Sequence, residues 1–120
     1  MRFVCFIHTD PQDIAEISDA DHRRIVAEHF AFDEAITATG HHIVSEALED
    51  PDRSVTIRRS AKGVTVSVGP FTEAREHIGG FYLLEAASLD EAIRIASRIP
   101  SLQHSSVEIR PVRTLVLDGE

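Results

Sequence analysis

The sequence predicts a single α+β domain spanning residues 1–120, and three observations carry that expectation. Residues 3–7 and 81–86 are apolar on both faces, as strands in the middle of a covered sheet are. Residues 21–39 and 89–99 carry apolar side chains at the helical period. A chain of 120 residues, 42% hydrophobic and 27% charged, has the composition of one ordinary globular domain.

Taken in order, Phe3, Cys5 and Ile7 alternate with Val4, Phe6 and His8 in the first strand. The acidic residues 9–21, with Pro11, read as a loop entering a helix. Ile25, Phe32 and Ile36 then mark one face of the first long helix, and Gly40 supplies the left-handed residue that closes it. A second strand follows over residues 41–48, and Asp50-Pro51-Asp52 makes a turn. Two β-branched runs, residues 54–59 and 63–68, form a hairpin with one face toward solvent. Gly79-Gly80 releases the chain into the strand at 81–86, after a segment, residues 72–77, that has the makings of one helical turn with a Glu73–His77 pair. Ser88 with Glu91 forms a capping box, Leu89, Ala92, Ile93, Ala96 and Ile99 make the apolar face of the next helix, and Pro100 ends it. Residues 106–112 complete the sheet, and Arg113 to Leu117 extend it or meet a partner.

The resulting order, β-α-β-(β-β)-β-α-β, is the split βαβ or ferredoxin-like arrangement with a hairpin inserted between its halves. Two helices cover only one face of such a sheet, so strands that are apolar on both faces call for a second cover. A homodimer packed sheet to sheet is therefore expected.

A formal charge of −8 with scattered basic residues excludes the basic face that nucleic acid demands. The apolar runs are far shorter than the ~20 residues that cross a bilayer, so no membrane partner is expected. The lone Cys5 has no internal disulfide partner, which suits the cytoplasm. None of the seven histidines stands in HExxH or Cys/His spacing, so no metal site is expected.

Gly69-Pro70-Phe71, the following Thr-Glu-Ala-Arg-Glu, Gly79-Gly80-Phe81-Tyr82, Leu89-Asp90-Glu91-Ala92 and the run from Val107 to Val112 together resemble the YCII-related (YciI-like) family in its DGPF-type branch. Val68 stands where the Asp of that motif would be. The resemblance implies a dimeric α/β-barrel-type packing of two sheets. It also implies cofactor-free chemistry, since a few relatives look like dehydrochlorinases or isomerases. In the YciI-like branch a His eleven residues before the glycine ending the first helix pairs with an Asp before the proline after the second. His29 matches the first; Ile99, before Pro100, replaces the second.

His29 is the sharpest catalytic candidate on the residues themselves, because the stripe Ile25-His29-Phe32-Ile36 aims its ring at the sheet. Its plain alternative is a core histidine with one hydrogen-bond partner. Glu85, the one charged side chain of residues 81–86, is a candidate to orient the ring, or else a strand-end carboxylate in water. Ser45 and Tyr82 are candidates to line a cleft, and Phe71 to plug the core or a dimer seam. Two functions follow. The first is a lyase or isomerase in which His29 moves a proton on a small, ring-containing metabolite. The second is a non-catalytic ligand-binding module, or an accessory to the sigma-factor systems with which DGPF-type proteins are often associated.

Overall fold

A computed structural model describes residues 1–118. Strands β1 (Arg2–Thr9), β2 (His42–Ala47), β5 (His77–Glu85) and β6 (Ser105–Pro111) form an antiparallel sheet in the order β2-β5-β1-β6, the ferredoxin-like order expected. Strands β3 (Val55–Ser60) and β4 (Gly63–Val68) pair only with each other, so the inserted hairpin is a sheet of its own. Helix α1 (Pro11–Ala15) is a short turn within the stretch expected to be a loop, capped by the Asp10 side chain. Helices α2 (Asp19–Ala38) and α3 (Leu89–Ala96) lie on one face of the four-stranded sheet.

The ends of α2 follow from its sequence. Ser18 Oγ accepts the Asp21 N–H at the start. At the finish Gly40 takes φ +79°, which lets the Gly40 N–H reach the Thr37 carbonyl at 3.1 Å and the His41 N–H reach that of Ile36 at 2.9 Å. This paired closure leaves the chain turned directly into β2. Ile25, Phe32 and Ile36 are buried, as the spacing predicts.

Helix α3 departs from its expected face. Ala92, Ile95, Ala96 and Ile99 are buried, while Leu89 and Ile93 are 46% and 45% exposed. Two apolar stripes overlap on this short helix: they share Ala92, Ala96 and Ile99, and the one completed by Ile95 faces the sheet while Leu89 and Ile93 turn toward solvent. The capping box forms in modified geometry: Ser88 Oγ accepts from Glu91 N–H, and Glu91 Oε1 accepts from Ala87 N–H.

Other boundaries also move. Gly79 and Gly80 lie inside β5 and not ahead of it. Their role is close approach: a Cβ on Gly80 would stand 2.9 Å from the Glu46 carbonyl oxygen, and one on Gly79 would stand 2.7 Å from Thr9 Oγ1. Residues 72–76 form no helix, and Arg113 to Leu117 add no strand. Arg75 instead ties the loop to β1 through the buried carboxylate of Asp10, with Nε at 2.9 Å from Oδ2.

The core lies between sheet and helices, built on Phe3, Cys5, Tyr82, Leu84, Ile36 and Ile99. Burial raises the Cys5 thiol to about 11, so it packs as a neutral hydrophobe. The opposite sheet face carries Val4, Phe6, Phe81 and Leu83, all half-buried and covered by no element among the described residues. On the hairpin, Val55, Ile57, Val66 and Val68 share one face by register and are 58–87% exposed. The molecule is a slab of 48 × 44 × 18 Å with a radius of gyration of 16.8 Å, against about 14 Å for a compact chain of this length.

Candidate functional site

The site grows from the middle of α2. His29 and Asp33 stand four positions apart on the helix, so both side chains rise from one face toward β5. Tyr82 comes up between them from the helix-covered face of that strand and is 3% exposed. The fourth member, Ser101, lies on the short 3-10 turn Pro100–Gln103 after α3. That turn is pinned by buried Ile99 and by the Leu102 N–H on the Ile99 carbonyl at 3.0 Å.

The hydrogen bonds form one directed chain. Tyr82 Oη–H donates to Asp33 Oδ1 at 2.6 Å. Tyrosine has one proton, so its oxygen must accept at 2.9 Å from His29 Nδ1, which therefore carries the ring proton. Nε2 is then the basic nitrogen, and it accepts from Ser101 Oγ at 2.5 Å. Burial holds the His29 pKa below its ordinary value, against the opposing pull of Asp33 and Glu28. Burial, then the hydrogen bond and charge of Asp33, push the Tyr82 phenol well above its ordinary range. Neutral His29 and neutral Tyr82 are thus the resting forms near neutral pH.

The chain opens on a cavity of about 430 Å³ whose wall includes His29, Asp33, Ser45, Tyr82 and Ser101, with Phe30 at its rim and Gly79 and Gly80 against β1. Small-molecule pockets run from roughly 300 to 1,000 Å³, so this one suits a small ligand. His42 stands edge-on to Tyr82, its centroid 6.3 Å away, and its Nε2 engages Ser45 Oγ at 2.8 Å.

The structure therefore gathers His29, Tyr82 and Ser45 and leaves two candidates outside. Glu85 does not reach His29. It ends β5, is exposed, and pairs with the amino terminus of Met1, because strand alternation puts it on the face of Phe81 and Leu83, opposite Tyr82 and α2. Phe71 plugs no core: it is 76% exposed, lies under the Arg58 guanidinium at 5.0 Å, and borders a separate cavity of about 680 Å³ between the hairpin and the start of β5. Ile99, at the position of the family's Asp, is buried core, and the hydroxyl of Ser101 meets the imidazole instead. Two members of the hydrogen-bonded chain escaped the sequence reading. Asp33 was within reach of the same helical-spacing argument that found His29, whereas Ser101 is placed by a turn that has no periodic signal. Among the described residues, no group of three or more His, Cys, Asp or Glu side chains is placed to hold a metal ion.

The fold and this chain of side chains define a ferredoxin-like domain with a hydrogen-bonded histidine at a small cavity. The chain belongs to the YCII-related family: the model of the YCII-related domain matches residues 1–116. An uncharacterized protein of Rhizobium meliloti is 43% identical over 61 residues, which are 49% of this chain and 49% of that relative. The match thus spans about half the length of the curated relative. Among solved structures, 5-chloro-2-hydroxyhydroquinone dehydrochlorinase (TftG) of Burkholderia phenoliruptrix, in complex with 2,5-dihydroxybenzoquinone, superposes with a TM-score of 0.55. It covers 94% of both chains at 17% identity, a likeness of fold. No helix among the described residues is long and apolar enough to cross a membrane.

Proposed function

We propose that this protein is a cofactor-free enzyme that moves a proton on a small, ring-containing metabolite, with His29 as general acid and base. The observation that carries the reading is the chain Asp33–Tyr82–His29, which fixes one tautomer and leaves Nε2 as the basic atom at the cavity. A positioned base of this kind contributes on the order of 10²–10⁴-fold to a rate. When Nε2 takes a proton, the Tyr82 oxygen and the Asp33 carboxylate behind it stabilise the imidazolium. Fold likeness to a dehydrochlorinase points to the same class of substrate by analogy.

The working form in this reading is a homodimer that covers the bare sheet face, with Phe6 and Phe81 at the centre of the seam. Support comes from the unpartnered apolar face, the thin slab and the exposed apolar side of the hairpin.

A thermal-shift screen of aromatic, quinone, lactone and carboxylate metabolites on wild type and His29→Ala, followed by deuterium incorporation into each hit, tests the function. Ligand at ~100 times its Kd raises stability by about 2.7 kcal/mol. His29-dependent exchange of carbon-bound hydrogen supports the enzyme. Binding without exchange would leave a ligand-binding module.

A further inference from the structure

We propose a second activity for the same cavity: Ser101 is a nucleophile toward short acyl esters and thioesters, with His29 as its base. The proposal rests on the reading of His29 as a base and adds the group that the base activates. A serine hydroxyl is a weak nucleophile until a neighbouring base takes its proton, and the base works best when a third group fixes its ring. All three requirements are met in one line. Ser101 Oγ stands 2.5 Å from Nε2, the opposite nitrogen is held by Tyr82, and Tyr82 is held by Asp33. The hydroxyl is half-buried at the wall of the cavity, on a turn whose backbone is closed by the Leu102 and His104 N–H bonds.

The other serines set this one apart. Ser18 and Ser88 spend their hydroxyls on helix caps, and Ser97 spends its own on the Ile93 carbonyl. Ser45 also meets an imidazole, that of His42, but among the described hydrogen bonds no carboxylate stands behind that ring. In Ser101 alone of these five does the hydroxyl end a chain that begins at a carboxylate.

The chemistry balances without any redox partner. Ser101 Oγ bonds to the acyl carbon while its proton passes to His29 Nε2. The bond from that carbon to the leaving oxygen or sulfur breaks, and the leaving group takes the proton from Nε2. Water then attacks the acyl-serine, giving the free acid and restoring the hydroxyl. A cavity of about 430 Å³ limits the acyl group to a short or single-ring one.

The test is acetylation of the full chain by p-nitrophenyl acetate, read by the burst of p-nitrophenolate and by mass spectrometry of the peptides. One acetyl group per chain, located on Ser101, is the expected result. Ser101→Ala should show no burst, and His29→Ala should acylate slower by on the order of 10²-fold or more. Location of the acetyl group on any other side chain, or steady hydrolysis unchanged in Ser101→Ala, overturns the proposal. The wild-type location decides even where Ser101→Ala folds poorly, and Ser101→Cys, which keeps a nucleophile in place, should acylate at the same position. No Ser101 adduct alongside intact His29-dependent deuterium exchange removes the nucleophile and leaves the proton-transfer reading. Ser101 acylation at full rate in His29→Ala removes the shared premise.

Discussion

The two faces of the central sheet are built from nearly the same residues and have opposite fates. On one, Phe3, Cys5 and Leu84 are 0% exposed beneath α2 and α3, and Tyr82 alone carries a polar tip into the chain of hydrogen bonds. On the other, Val4, Phe6, Phe81 and Leu83 alternate with them along the same strands and remain half-open. Local pattern is the same; what differs is whether this chain supplies the second layer. The covered face is where His29 lies half-buried, with both ring nitrogens hydrogen-bonded. The open face offers a flat apolar surface, the kind that recognises another surface.

The sharpest break in the comparison comes from the covered side. Leu84→Ala should cost about 2–5 kcal/mol, read by chemical denaturation, since it leaves a cavity in the layer that holds Tyr82. Phe6→Glu should act in the opposite sense, turning a dimer into a monomer in sedimentation velocity while leaving the fold intact. A wild type that sediments as a monomer at micromolar concentration would remove the seam altogether. Tyr82→Phe keeps the packing but strands the His29 Nδ1–H and the Asp33 carboxylate, with an expected loss of about 1–3 kcal/mol and a matching fall in any His29-dependent rate.

A smaller effect comes from pH. Burial lowers the His29 pKa in the folded state relative to 6.5, so the unfolded chain binds the proton first. Stability from the neutral ring is therefore complete above the ordinary value and is lost as pH falls from there toward the lowered folded value. Thermal midpoints of wild type should drop more over that window than those of His29→Gln. Activity that needs the free base should rise with pH through the lowered value and be level by neutrality. The smallest change expected is Glu85→Gln, within about 0.5 kcal/mol and with no effect at the cavity, because its carboxylate serves the amino terminus at the surface.

Legibility in the sequence followed the same division. The succession of elements along the chain, helix α2 and the Gly40 closure could be read because each is set by residues close in the chain. His29 could be read because it stands within the stripe of Ile25, Phe32 and Ile36, which α2 buries. The face of α3 was misjudged because two stripes compete on one short helix, and sheet contact chose between them. Glu85 attracted notice as a charge in an apolar strand, but it stands three positions from Tyr82, and strand alternation puts the two on opposite faces. Ser101 reaches His29 only through the path of a turn, a property of the assembled fold.

The hydrogen-bonded chain at the cavity takes His29 and Asp33 from before the inserted hairpin and Tyr82 and Ser101 from after it. Bonds between residues so far apart in the chain form only after the loops between them have closed, which places them late among folding events. The His29 ring signals then report completion: a chain with both halves formed but not yet docked would have its helices and its hairpin and no base.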